Sequence, residues 1–301
     1  MKKNYFLPGI CECFKLNMAL LMVKSNNEDK FYQDINIAGV FGTFPNAIWN
    51  GGRLILSDEN ADAELIQSTL NCYHSYDLIT RFTFTNTLIN QEHLNDLYCN
   101  LITTLAGLLG NSEIIISSEI LENYFKETYP TLPLIASITK GISKEDYINW
   151  LEKDDYKTIV LPPSLNHDID FLNQIPKELR NKVEILVNCG CLHNCPNKAK
   201  HYAAIAKSQL EGVPSDSNQD FCGHNNDFFT DKDNEKDFIT LEEVDELFEL
   251  GYNNFKIEGR EAWNSYPKTL SVLEAYLYYL VKPEYKDEVR YQILTILGPL
   301  T

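Results

Sequence analysis

The sequence predicts an α/β fold, a (βα)8 barrel of the TIM type with a C-terminal helical extension. Three observations predict it. After residue 30, short runs rich in β-branched and aromatic residues alternate with stretches of helical spacing, the rhythm of βα units around a parallel sheet. About eight such units are present, and most of their strands are near-continuous apolar runs, as strands covered on both faces are. The 301 residues, 44% of them hydrophobic, suffice to bury one large core, and barrels reach this length as a single domain.

Taken in order, the predicted strands are 35–41, 53–57, 77–84, 113–117, 132–138, 158–161, 183–188 and 254–257. Helical spacing occupies 61–70, 91–109, 120–128, 144–151, 168–173, 197–210 and 241–250. Thr240 stands before Glu242 and Glu243, where a hydroxyl caps free amides and carboxylates meet the positive end of a helix. Two further helices, 266–280 and 284–297, follow the last strand, with Pro283 separating them. The stretch 211–237 breaks the rhythm: it is polar, rich in Asp and Asn, and carries Cys222. A loop of that length in a compact domain is functional or disordered. Phe221, Phe228 and Phe229 give it apolar surface to bury, which favours an ordered flap. The expected organisation is one barrel domain over 1–301, with an inserted metal-binding flap at about 211–237 and terminal helices at about 266–297.

The formal charge of −17 repels phosphate backbones, and no basic patch offsets it, so a nucleic-acid partner is not expected. Lys198, Lys200 and Lys207 read as the solvated face of one helix. The apolar run 14–23 is about half of what spans a bilayer, and Glu12 stands where an export signal needs positive charge. No membrane segment is expected. Eight cysteines without an export signal fit a reducing cytoplasm, in which thiols stay free, bind metals or do chemistry.

Cys189, Cys191 and Cys195 fall within one short segment after a predicted strand, and Cys222 lies on the flap. An isolated cysteine reads as a small buried hydrophobe, but thiolates gathered this closely read as ligands of a metal or cluster. Cys195 precedes Pro196, a residue preferred at the first helical position, so Cys195 is expected to cap a helix whose N-terminus lowers its pKa. The C-x-C-x3-C spacing departs from the paired pattern of zinc ribbons, and His193, His201 or His224 offer nitrogen. A [4Fe-4S] cluster on four cysteines fits the softness of the set, with zinc as the alternative. Cys72 and Cys99 lie in helical patterns and read as core, while the Cys11-Glu12-Cys13 string is open.

The other concentrated signal is Phe255-Lys256-Ile257-Glu258-Gly259-Arg260. Strand alternation directs Lys256, Glu258 and Arg260 to one side, either as an ion-paired strand end or as charged groups at the catalytic mouth of a barrel, with Arg260 able to take a carboxylate or phosphate. Together, the phrases ITLEEVDELFELGYNNFKIEGR and KVEILVNCGCLHNCP resemble the collagenase-like peptidase family, the U32 peptidases, over roughly residues 180–285. The resemblance implies a TIM-type barrel and, as in several members, a [4Fe-4S] cluster on four cysteines. Relatives take part in oxygen-independent hydroxylation of ubiquinone precursors and RNA bases. Carried over by position, Cys191 and Cys195 look like two ligands, Cys222 like a third, and Cys189 by proximity like the fourth. Asn188, His193 and Asn194 replace the usual Gly- and Ser-rich surroundings of the first cysteine, and a further downstream cysteine group is absent, so the substrate is not inherited with the resemblance.

Active sites of this fold lie at the carboxyl ends of the strands. Those ends are polar here: Arg81, Thr83, Thr85, Asn86, Glu119, Ser137, Thr139, Ser164, Asn166 and Asn188. Arg81, Asn86 and Asn188 are the candidate substrate-binding residues, and Lys256, Glu258 and Arg260 the candidate catalytic ones. No Ser-His-Asp order, nucleophile elbow, H-E-x-x-H or phosphate loop is present. The expected function is an iron-sulfur barrel enzyme acting on a small anionic or aromatic metabolite. The alternatives are a zinc-stabilised binding protein serving a protein partner, and a peptidase.

Overall fold

A computed structural model describes residues 1–189, 195–214, 237–259 and 266–298 of the chain. Eight parallel strands follow one another around a closed barrel: β1 (Lys3–Pro8), β2 (Ile35–Gly42), β3 (Ile79–Phe84), β4 (Ser112–Ile116), β5 (Leu134–Ala136), β6 (Thr158–Val160), β7 (Val183–Leu186) and β8 (Asn254–Lys256), with β8 pairing back to β1. The helices are α1 (Phe14–Asn26), α2 (Ala63–His74), α3 (Leu97–Leu109), α4 (Glu119–Thr128), α5 (Lys144–Leu151), α6 (Ile169–Gln174), α7 (Lys198–Glu211), α8 (Leu241–Leu250), α9 (Tyr266–Leu280) and α10 (Lys286–Leu297). The (βα)8 barrel with helices after its last strand is thus the observed architecture. Among the described residues, no helix is long and apolar enough to cross a membrane.

Two expectations change at the N-terminal end. Residues 53–57 form no strand, and the first strand is β1, ahead of the region where the alternation is visible. The backbone around Ile55 is satisfied without a ladder: its N–H donates to Gln209 Oε1 at 2.9 Å, its carbonyl accepts from Gln209 Nε2 at 3.0 Å and from the amide of Asn46. Apolar residues held by a side chain look like a strand in sequence. The apolar run 14–23 belongs to α1, whose buried residues Leu16, Asn17, Ala19, Leu20, Leu21 and Val23 leave no single apolar stripe to read.

Start signals account for several helices. Asp62, Asp96, Ser118, Ser143 and Asp168 each accept a backbone N–H from the first turn of the helix they precede. Thr240 and Glu243 form a reciprocal capping box at α8. Cys195, by contrast, does not cap α7: that helix begins at Lys198 after Asn197, and Cys195 only accepts the Lys198 N–H in a preceding turn at 3.2 Å. Pro196 sits in that turn instead of at the first helical position.

Most of the apolar side chains pack between the sheet and its helices, while Phe6, Phe41, Ile115, Ile135 and Val160 form a separate cluster inside the barrel. Pairing of β1 with β2 slips between Tyr5 and Phe6, so Ala38 is an extra residue, and both Ala38 and Phe41 reach the interior cluster despite their odd spacing. Gly39 lies within β2 beside this bulge, and a Cβ there would stand 2.4 Å from the carbonyl oxygen of Ile79 on β3. Gly39→Ala is therefore expected to push β2 from β3 and lower unfolding free energy by about 2 kcal/mol, measured by urea denaturation.

Candidate active site

The carboxyl ends of the strands surround a cleft of about 600 Å³, counting space open to solvent, whose walls include Phe41, Arg53, Thr83, Thr85, Ser137, Thr139, Tyr202, Lys256 and Glu258. Lys256, the last residue of β8, and Glu258, two residues beyond it, both reach the cleft.

Lys256 is nine-tenths buried, with Nζ 3.9 Å from the centroid of the Phe41 ring and 3.6 Å from Glu184 Oε1 on β7. Burial is the main force on its amine and lowers its pKa from the ordinary 10.5 to about 8; Arg81 and Arg53 push the same way, while Glu184 opposes them. Beneath it, Arg81 is buried within the barrel and joins two carboxylates. Its Nε donates to Glu113 Oε2 at 2.7 Å, and its Nη1 donates to Glu184 Oε2. The second oxygen of Glu113 pairs with Lys157, whose side chain is half-exposed. Charges thus alternate in sign through the interior, from Lys157 through Glu113, Arg81 and Glu184 to Lys256. Arg81 also stacks its guanidinium carbon 3.3 Å over the centroid of Phe6.

Arg53 brings a second cation to the cleft. Its Nη1 lies 3.2 Å from Glu12 Oε1 and donates to the Gly259 carbonyl at 3.3 Å. Among the described residues, its Nε and Nη2 have no hydrogen-bond partner. Glu12 is buried, which explains the Cys11-Glu12-Cys13 string: the carboxylate holds Arg53, and the flanking thiols are pushed up to about 12 by burial first and Glu12 second. They stay protonated at neutral pH and make poor metal ligands.

Side-chain amides hold the loops of the mouth. Asn86 donates to the carbonyls of Ile48 at 2.9 Å and Ala206 at 3.0 Å, and accepts from the Leu88 N–H, so it staples two loops to α7. Gln209 donates to Ala47 O as well as gripping Ile55. Asn188 accepts the Glu258 N–H at 2.6 Å and donates to the Glu258 carbonyl at 3.0 Å, fixing the backbone after β8 to the backbone after β7.

Of the residues expected at the site, Lys256 and Glu258 line the cleft, Arg81 lies beneath it in the charge chain, and Asn86 and Asn188 brace its rim. Cys189 is buried just beyond β7 and Cys195 is half-buried before α7. Arg260, Cys191, Cys222, His193 and His224 lie outside the described residues. Cys99 is buried as expected, but Cys72 is exposed because it falls on the outer side of α2. Among the described residues, no group of three or more His, Cys, Asp or Glu gathers in a way that would hold a metal ion. Sequence reasoning missed Arg53, Glu12, Tyr202 and Glu184. The available signal for Arg53 was the preceding Asn50-Gly51-Gly52, a turn motif at odds with a strand start.

The profile described as peptidase family U32 matches residues 53–292. A stretch of 123 residues is 25% identical to an uncharacterized protease of Methanocaldococcus jannaschii, covering 39% of this chain and about a third (35%) of that relative's length. The fold is also similar to a solved structure described as that of the U32 peptidase Mk0906, with a TM-score of 0.51 and 14% identity over 85% of this chain and 92% of the other.

Removing one member of a buried charge chain leaves its partners uncompensated, at a cost of about 3–5 kcal/mol. Arg81→Met is expected to destabilise the fold by that amount in denaturant unfolding. Adding Glu184→Gln should recover part of the loss, whereas additive losses would show the two residues to be uncoupled.

Proposed function

Because the chain belongs to peptidase family U32, we propose that it is an enzyme whose reaction takes place at the barrel mouth, on a small anionic substrate held between Arg53 and Lys256. The observation that carries this reading is the sharing of one cleft by two largely buried cations with spare donor capacity, among the hydroxyls of Thr83, Thr85, Ser137 and Thr139. A desolvated cation pair attracts an anion more strongly than exposed lysines do, and the planar edge of a guanidinium suits a carboxylate or phosphate. Glu258 supplies a carboxylate in the same cleft for proton exchange. Arg260, which follows Gly259, is assigned as a further anion anchor, and Arg81 as a positioning residue acting through Glu184.

The proposal includes a [4Fe-4S] cluster on Cys189, Cys191, Cys195 and Cys222. Its support is the donor set: soft ligands flank one loop at the carboxyl end of the barrel, with Cys189 and Cys195 at either side of it. Such a cluster supplies single electrons when bound, in keeping with hydroxylation chemistry and with a reducing cytoplasm. Zinc on the same residues would give structural support instead. The family name favours peptide hydrolysis as a second reading, which predicts cleavage of a peptide library by a variant lacking these cysteines.

Anaerobically purified protein is expected to be coloured and to contain iron and acid-labile sulfide, both lost in Cys195→Ser without unfolding. Colourless, iron-free protein with intact thiols would exclude the cluster. Independently, acetate or inorganic phosphate should raise the thermal midpoint, and Arg53→Gln should weaken that binding about tenfold in titration.

A further inference from the structure

We propose that Lys256 is an amine nucleophile, forming a reversible imine with the carbonyl carbon of a small 2-oxo acid whose carboxylate is held by Arg53. This rests on the anion-binding reading of the cleft and names its substrate class.

The geometry is that of a lysine whose partner carboxylate is shared with a second cation. Lys256 Nζ lines the cleft and forms an ion pair with Glu184 Oε1 at 3.6 Å, longer than a good hydrogen bond. The other Glu184 oxygen is engaged by Arg81, so the charge that would fix Lys256 as an ammonium is shared with a competing cation. The groups bearing on the amine are Glu184 from β7, Arg81 from β3 and Arg53 from the loop after β2, with Phe41 of β2 beneath it and Glu258 in the segment that follows β8. Burial outweighs the attraction to Glu184 and lowers the amine to about 8, so a larger share of it is neutral near pH 7 than of an exposed lysine. A lysine poised this way inside a cleft is suited to covalent catalysis.

The step balances without an oxidant or reductant. The nitrogen lone pair of Lys256 attacks the carbonyl carbon, forming a C–N bond while the π pair moves to oxygen. The nitrogen gives up two protons in all, the oxygen leaves with them as water, and a C=N bond remains. Glu258 lines the same cleft and can carry those protons. The Nε and Nη2 edge of Arg53, without a hydrogen-bond partner among the described residues, is available for the adjacent carboxylate, and the hydrogen-bonded hydroxyls of Ser137 and Thr139 line the same cleft beside the tetrahedral intermediate.

The test is reductive trapping on the whole, unaltered chain: incubation with pyruvate and sodium cyanoborohydride, then peptide mass spectrometry with the remaining lysines as internal controls. The expected result is a reduced adduct concentrated at Lys256, at least tenfold over any other lysine, with yield rising through pH 8. In Lys256→Arg the adduct should vanish while acetate still raises the thermal midpoint. In Arg53→Gln, trapping by pyruvate should fall while trapping by acetaldehyde persists. Adducts spread evenly over lysines, or absent from Lys256 while acetate still binds, would overturn the imine and leave the anion site standing. Failure of acetate and phosphate to bind at all would overturn the anion site itself. Equal loss of pyruvate and acetaldehyde trapping in Arg53→Gln would overturn the 2-oxo acid assignment.

Discussion

Inside the barrel, each buried carboxylate is shared by two cations: Glu113 stands between Lys157 and Arg81, and Glu184 between Arg81 and Lys256. Buried charges are tolerated only when paired in this way, so every member constrains the next. The five residues come from β3, β4, β7, β8 and the segment entering β6, which ties the relative heights of these strands to charge pairing as well as to backbone ladders. The chain runs from the half-exposed Lys157 to the cleft at Lys256. What reaches the mouth is therefore set in the interior: because Arg81 occupies one oxygen of Glu184, Lys256 faces the other at 3.6 Å.

The rim is organised by a different device. Asn86, Gln209 and Asn188 bind backbone groups of neighbouring loops, so the polar strand ends serve first to hold the mouth in shape. Arg53 depends on this scaffold, since its segment is held by Gln209 and its guanidinium by Glu12 and the Gly259 carbonyl. Gly259 fits because a Cβ there would stand 2.5 Å from Pro8 Cγ, where the end of β8 closes against the end of β1. One glycine thus serves both barrel closure and the placement of the cation.

Seven of the strands were legible in the sequence because buried parallel strands are written as local apolar runs; α5 and α8 were legible to the residue because caps and helical period agree there, and α9 through its helical period alone. β1 was not, since its six residues end in Pro8 and lead into a helix without a clear stripe. Residues 53–57 misled because their partner, Gln209, is distant in sequence, and no local pattern reports a backbone satisfied by a remote side chain. At the site, Lys256 and Glu258 were legible through a spacing of two that carries on past the end of β8. Glu184 was hidden, a single charge in an apolar run, because its meaning arises only where strands from across the chain converge.

Stability alone does not account for the interior charges, because apolar residues of similar volume fill such positions at no loss and often with gain. What apolar residues would not produce is a lysine at the mouth whose protonation is balanced between burial and a shared carboxylate. β7 links that balance to the other half of the proposed chemistry: it carries Glu184 in the interior, Leu186 on the cleft wall, and then Asn188 and Cys189 directly beyond its end. The side-chain amide of Asn188 accepts the Glu258 N–H and donates to the Glu258 carbonyl, so the residue before Cys189 and the segment leaving β8 share one hydrogen-bonded joint. On the proposed assignment, a metal centre held by Cys189 would be linked to Glu258 through the two hydrogen bonds of the adjacent Asn188.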